Sequence, residues 1–153
     1  MGRCRMHKLY DFMEARERLS TVTVKTKLIH SDVFSQECGN DVYIKPENLQ
    51  ITGSFKVRGA YNKISKLSNE EKERGVIAAS AGNHAQGVAL AAKRLGIKAV
   101  IAMPKHTPLI KVKATKQYGA EVVLHGEIYD EAYQKAVDLQ KEKGYVLVHP
   151  FDD

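Results

Sequence analysis

The sequence predicts an α/β protein, a parallel sheet with helices on both faces. Three observations carry this. Short apolar runs at residues 76–79, 98–103, 121–124 and 145–148 each follow a helix-compatible segment. The runs lack polar–apolar alternation, the pattern of strands buried on both faces. Connections are short and closed by glycine or proline, so parallel strands joined by right-handed helical crossovers are the economical topology.

Taken in order, residues 10–18 suit a short amphipathic helix. Residues 21–29 alternate polar with apolar and β-branched side chains and read as an extended arm or a strand. Residues 31–37 suit a helix stopped by Gly39-Asn40. A short strand at 42–45 enters a polar turn at 46–53, and a helical run follows from Ser54 to about Leu67. Ser68, with Glu71 three residues on, signals a capping box for a short helix that Gly75 ends. From there strand and helix are expected in strict alternation. Helices cover 84–95, 108–118 and 129–143, stopped by Gly96, Gly119 and Gly144. Ligands in such sheets bind at the carboxyl ends of strands, near helix N-termini.

The chain has 153 residues, which suits one domain. Its 43% hydrophobic and 27% charged residues are those of a soluble globular protein. The net charge is +6, but lysines and arginines are scattered, without a basic stripe or aromatic platforms. That argues for a solvated surface and an anionic small-molecule ligand, and against nucleic acid. Cys4 and Cys38 form no C-x-x-C pair or disulfide framework, so a reducing, cytoplasmic setting is expected. No secretory h-region and no membrane span is read. No H-x-x-x-H or H-E-x-x-H spacing supports a metal site, and no G-x-S-x-G elbow is present.

Two constellations carry chemistry. The first is Gly53-Ser54-Phe55-Lys56-Val57-Arg58-Gly59-Ala60. Lys56 falls in the first turn of a helix, where the dipole disfavours an ammonium. Burial would act the same way, favouring a free amine able to condense with a carbonyl. The octapeptide alone also fits an ordinary solvated lysine. The second is Ser80-Ala81-Gly82-Asn83-His84-Ala85-Gln86-Gly87, at the carboxyl end of a strand. Small residues and free helix N–H groups suit a carboxylate or phosphate there. A plain helix start capped by Asn83 fits the same letters. A lone histidine such as His84 is more often structural than catalytic.

Together with Lys45-Pro46-Glu47-Asn48-Leu49-Gln50, these motifs closely resemble the threonine dehydratases (threonine ammonia-lyases). That is a pyridoxal-phosphate family of the tryptophan-synthase-β fold type. Met103-Pro104, Pro108, Lys111, Gly119-Ala120 and His149-Pro150-Phe151 extend the resemblance. Serine racemases and serine dehydratases look similar over these residues. The resemblance implies that Lys56 carries pyridoxal phosphate as a Schiff base and then moves protons. It implies that Phe55 packs on the cofactor ring and that Asn83 bonds the cofactor's 3-oxygen. Ser80, Ala81, Gly82, Asn83 and His84 would form the loop that holds the substrate carboxylate. The implied reaction takes L-threonine, and L-serine, to a 2-oxo acid and ammonia, in threonine catabolism or isoleucine biosynthesis. Full-length relatives would be homo-oligomeric, with no membrane or nucleic acid partner.

Departures shape the expectation. Such enzymes are more than twice this long and hold the cofactor phosphate on a downstream glycine-rich loop that this sequence does not contain. The expected organisation is therefore an arm and strand of an incomplete large domain at 1–52. A small α/β domain would follow at 53–148, and the start of the crossover back at 149–153. Thr26-Lys27-Leu28 stands where the family has Thr-Pro-Leu, so the entry arm is altered. The isolated chain is expected to bind the cofactor weakly. Two other classes stay open: a non-catalytic amino-acid-binding or regulatory module, and, last, a nucleic-acid binder.

Overall fold

A computed structural model describes residues 7–152. Cys4 and the basic start lie outside them. Helix α1 (Leu9–Leu19) is anchored by its last residue, since Leu19 and Val22 bury against Val57 and Leu90. The arm beyond it is not a strand. Only β1 (Ile29–His30) pairs, antiparallel to β2 (Tyr43–Ile44), and α2 (Asp32–Cys38) lies between the two in sequence. Ser31 caps α2 by accepting the Phe34 N–H, and Gly39 ends it in the left-handed region at φ 65°.

The arm's backbone is satisfied by a side chain instead. Val24 N–H donates to Gln50 Oε1 at 2.9 Å, and Gln50 Nε2 donates to the Val24 carbonyl at 2.8 Å. One glutamine thus makes the pair of bonds that a neighbouring strand would make. β1 and β2 form a two-stranded unit separate from the main sheet.

A short 3-10 helix, Glu47–Leu49, leads to α3 (Lys56–Ser65) and then α4 (Asn69–Arg74). The capping box forms as expected: the Glu71 N–H donates to Ser68 Oγ, and the Ser68 N–H donates to Glu71 Oε2. The chain continues through β3 (Val76–Ala79), α5 (Asn83–Leu95), β4 (Ala99–Met103), α6 (Leu109–Gln117), β5 (Glu121–Leu124), α7 (Tyr129–Lys143) and β6 (Val146–Leu147). These four strands make one parallel sheet in the order β5-β4-β3-β6.

Helices cover both faces. Val76, Ala78, Ile101 and Met103 face Ala60 and Ile64 of α3 and Val88 and Ala92 of α5. Ile77, Ala79, Val100 and Ala102 face Ala136 of α7. Burial on both faces holds for β3 and β4 only. The outer strands β5 and β6 are partly exposed, because an edge strand has a neighbour on one side alone.

The strand order places a switch point between β3 and β6. From β3 the chain moves outward through β4 and β5, then α7 carries it back to the other side of β3. Segments leaving β3 and β6 therefore diverge and leave a crevice between them. Among the described residues no helix is long and apolar enough to cross a membrane.

Candidate active site

Lys56 opens α3 at this crevice. Its position follows from close packing of α3 on α5, with Val57, Ala60 and Ile64 buried. Gly87 permits the approach, for a Cβ there would stand 3.0 Å from both the carbonyl carbon and the oxygen of Lys56. The Lys56 amine donates to the Pro150 carbonyl at 2.8 Å. It lies 5.4 Å from the Phe55 ring centroid and 5.3 Å from that of Phe151.

The segment after β6 forms the opposite wall. His84 is buried, and its Nε2 is 3.0 Å from the Val148 carbonyl oxygen. His149 shapes the following turn: its Nδ1 accepts from Phe151 N–H at 3.2 Å and Asp152 N–H at 3.0 Å. Its ring meets Tyr133 and Phe151 edge-on. Between the walls lies a cavity of about 400 Å³ whose lining includes Phe55, Lys56, Lys63, Lys66, His84 and Pro150.

The two constellations thus become neighbours, but only in part. Of Ser80 to Gly87, His84 alone lines the Lys56 cavity. Ser80 Oγ accepts the Gly82 N–H at 3.1 Å and tightens the turn. Gly82, not Asn83, is the N-cap of α5, and Asn83 is its exposed first residue. Ala81 and Gly82 sit partly exposed before that helix. A Cβ on Gly82 would lie 3.8 Å from Lys111 Nζ, so a cation stands over this loop.

Motif letters that carried no role turn out to build the entry to Lys56. Arg58 donates to Glu47 twice, Nε to Oε2 at 2.7 Å and Nη2 to Oε1 at 2.9 Å. Thr26 Oγ1 donates to the same carboxylate at 2.7 Å, and Lys45 Nζ donates to the Thr26 carbonyl at 2.5 Å. The Arg58 hydrogen bonds, helped by those of Thr26 and Gln50, hold the Glu47 carboxyl down to about 2, against the opposing effect of burial. Glu47 in turn raises the Arg58 guanidinium. A carboxylate and a guanidinium flanking the lysine loop were the available signal. Pro150 had only its place in the His149-Pro150-Phe151 motif, since its contribution is a main-chain carbonyl.

The residues present fit pyridoxal phosphate, an anionic aromatic aldehyde. A primary amine, Lys56, opens into the cavity beside the Phe55 and Phe151 rings. Lys63 and Lys66 add positive charge to the lining. The volume falls within the range of small-molecule sites, about 300–1,000 Å³. Ser54 Oγ is buried beside this loop without a hydrogen-bond partner, a polar atom awaiting one. Among the described residues, no group of three or more His, Cys, Asp or Glu side chains is placed to hold a metal ion.

An L-threonine ammonia-lyase of Thermotoga maritima is 55% identical over 97% of this chain and 37% of its own length. The catabolic L-threonine dehydratase TdcB of Escherichia coli is 46% identical over 94% of this chain and 44% of its own. Among solved structures, the threonine deaminase of Solanum lycopersicum, isoform 2, superposes with a TM-score of 0.84 at 42% identity, covering 96% of this chain and 44% of that one. Maize serine racemase superposes with a TM-score of 0.91 at 34% identity, over 97% of this chain and 45% of that one. The chain therefore spans less than half the length of these relatives. The family model described as "Pyridoxal-phosphate dependent enzyme" matches residues 19–153, and the chain belongs to that family.

Proposed function

We propose that this chain is the lysine-bearing N-terminal portion of an L-threonine ammonia-lyase, releasing 2-oxobutanoate and ammonia from L-threonine and pyruvate and ammonia from L-serine. The observation that carries the reading is the Lys56 amine, set near two aromatic rings at the switch point beside α5. In this reading Lys56 Nζ would hold the cofactor and afterwards take the substrate's α-proton, with the β-hydroxyl leaving as water. The bound cofactor supplies the electron sink that makes that proton removable. Phe55 covers the cofactor ring and the Asn83 amide bonds its 3-oxygen. The turn Ser80-Ala81-Gly82-Asn83-His84 holds the substrate carboxylate on free N–H groups at the start of α5. Departure of the β-hydroxyl follows proton removal.

The reading includes a domain division: 1–52 with a large domain, 53–148 as the small domain, 149–153 returning to the large one. The exposed apolar side chains Leu28, Ile29, Val33, Phe34, Tyr43 and Ile44 support it, since a large domain would cover them. The exposed Cys38 thiol suits a reducing compartment, and the cytoplasm is part of the proposal, as is homo-oligomeric assembly. The proposed partner is a small amino acid.

Serine racemase is the second reading, favoured by the superposition on the maize enzyme. The identity of 55% with an ammonia-lyase favours the first. The whole protein as made in the cell, loaded with pyridoxal phosphate, separates them. Release of 2-oxobutanoate from L-threonine supports the lyase. D-serine formed from L-serine without any 2-oxo acid overturns it in favour of the racemase.

A further inference from the structure

We propose that His84 is a positioning residue for Lys56, acting through the main chain of residues 148–150. The proposal rests on the reading of Lys56 as the reactive amine. A carbonyl oxygen only accepts, so His84 Nε2 carries a hydrogen and donates it to Val148 across 3.0 Å. Two residues on, the Pro150 carbonyl receives the Lys56 amine at 2.8 Å. Val148 is fixed on its other side as well, its N–H donating to the Ile77 carbonyl at 2.8 Å. The proline ring restricts φ at Pro150, so its carbonyl follows the placement of Val148 and His149 closely.

Helix α5 then sets Lys56 at both ends. Gly87 lets the helix rest on the lysine's main chain, where an added Cβ would meet it at 3.0 Å. His84, one turn earlier on the same helix, steers the amine through Val148 and Pro150. The imidazole is 6% exposed, and its Nε2 is engaged with protein. Its effect on the site therefore passes through the strand exit and not through direct contact with substrate by that nitrogen.

The test needs no cofactor. Lysine-by-lysine acylation of the 153-residue chain, read by peptide mass spectrometry, reports how firmly each amine is held. His84→Leu should raise the Lys56 rate about fivefold relative to Lys113 and Lys141, the change expected from loss of one buried hydrogen bond. His84→Gln, which keeps an N–H donor, should return Lys56 towards its native rate. An unchanged relative rate in His84→Leu, or equal rises in both variants, overturns the proposal. Imidazole 15N shifts of the native chain give a measurement independent of any variant. An Nε2–H at neutral pH is expected, and a bare Nε2 overturns the proposal. Failure of Lys56 to take up pyridoxal phosphate in the whole protein as made in the cell would instead sink the functional reading and leave the acylation result standing.

Discussion

Glu47→Gln isolates the pair that ties the entry arm to the lysine loop. The carboxylate accepts two bonds from Arg58 and one from Thr26, and it is held at about 2 against an ordinary 4.5. One decade of proton affinity is about 1.4 kcal/mol, which sets a ceiling of about 3 kcal/mol. The pair is partly exposed, with side chains at 32% and 18%, so solvent screening reduces the expected contribution to about 1–2 kcal/mol. The folded-state value lies below the unfolded one. The contribution is therefore complete above about pH 4.5 and is lost as pH falls towards 2. Urea unfolding at pH 7 and again near pH 2.5 measures it. The native chain should exceed Glu47→Gln at pH 7 by that amount, and the gap should close in acid. A gap that stays constant with pH, or none at pH 7, would refute the reasoning.

Other substitutions probe the supports of the site. Gly87→Val drives a branched side chain into the main chain of Lys56, at 3.0 Å from the first added carbon, and should cost about 1–3 kcal/mol in urea unfolding. Equal or greater stability would contradict the close approach. Ile77→Ala empties a fully buried position under α7 and should cost about 2–5 kcal/mol. Ser68→Ala removes one half of the capping box and should cost about 1 kcal/mol, with no effect on cofactor uptake. The exposed apolar arm should make the isolated chain self-associate, visible as light scattering that rises with concentration. A clean monomer with a single cooperative melt would contradict that.

Much of the architecture was legible because its signals are local. Gly39, Gly96 and Gly144 end helices in the left-handed region, as the letters suggest. The bounds of α7 coincide with its apolar periodicity, and the Ser68–Glu71 box formed. What stayed hidden depends on distant partners. Residues 21–28 alternate like a strand, yet Gln50 satisfies Val24 with a side chain, so no strand forms there. The edge positions of β5 and β6 follow from the order of the sheet, which no single segment encodes. Motif letters brought Lys56 and the loop after β3 to one region. They could not show that His84, at the start of α5, alone of Ser80 to Gly87 reaches the lysine's cavity, or that a proline carbonyl receives the amine.

The central claim is that Lys56 is the residue that takes up the cofactor. The whole protein as made in the cell is incubated with excess pyridoxal phosphate, reduced with borohydride and mapped by peptide mass spectrometry, beside Lys56→Ala. One dominant label on Lys56, absent from the variant and accompanied by visible absorbance that the variant lacks, is the predicted result. Labels spread over the exposed lysines with no preference for Lys56 would contradict the account.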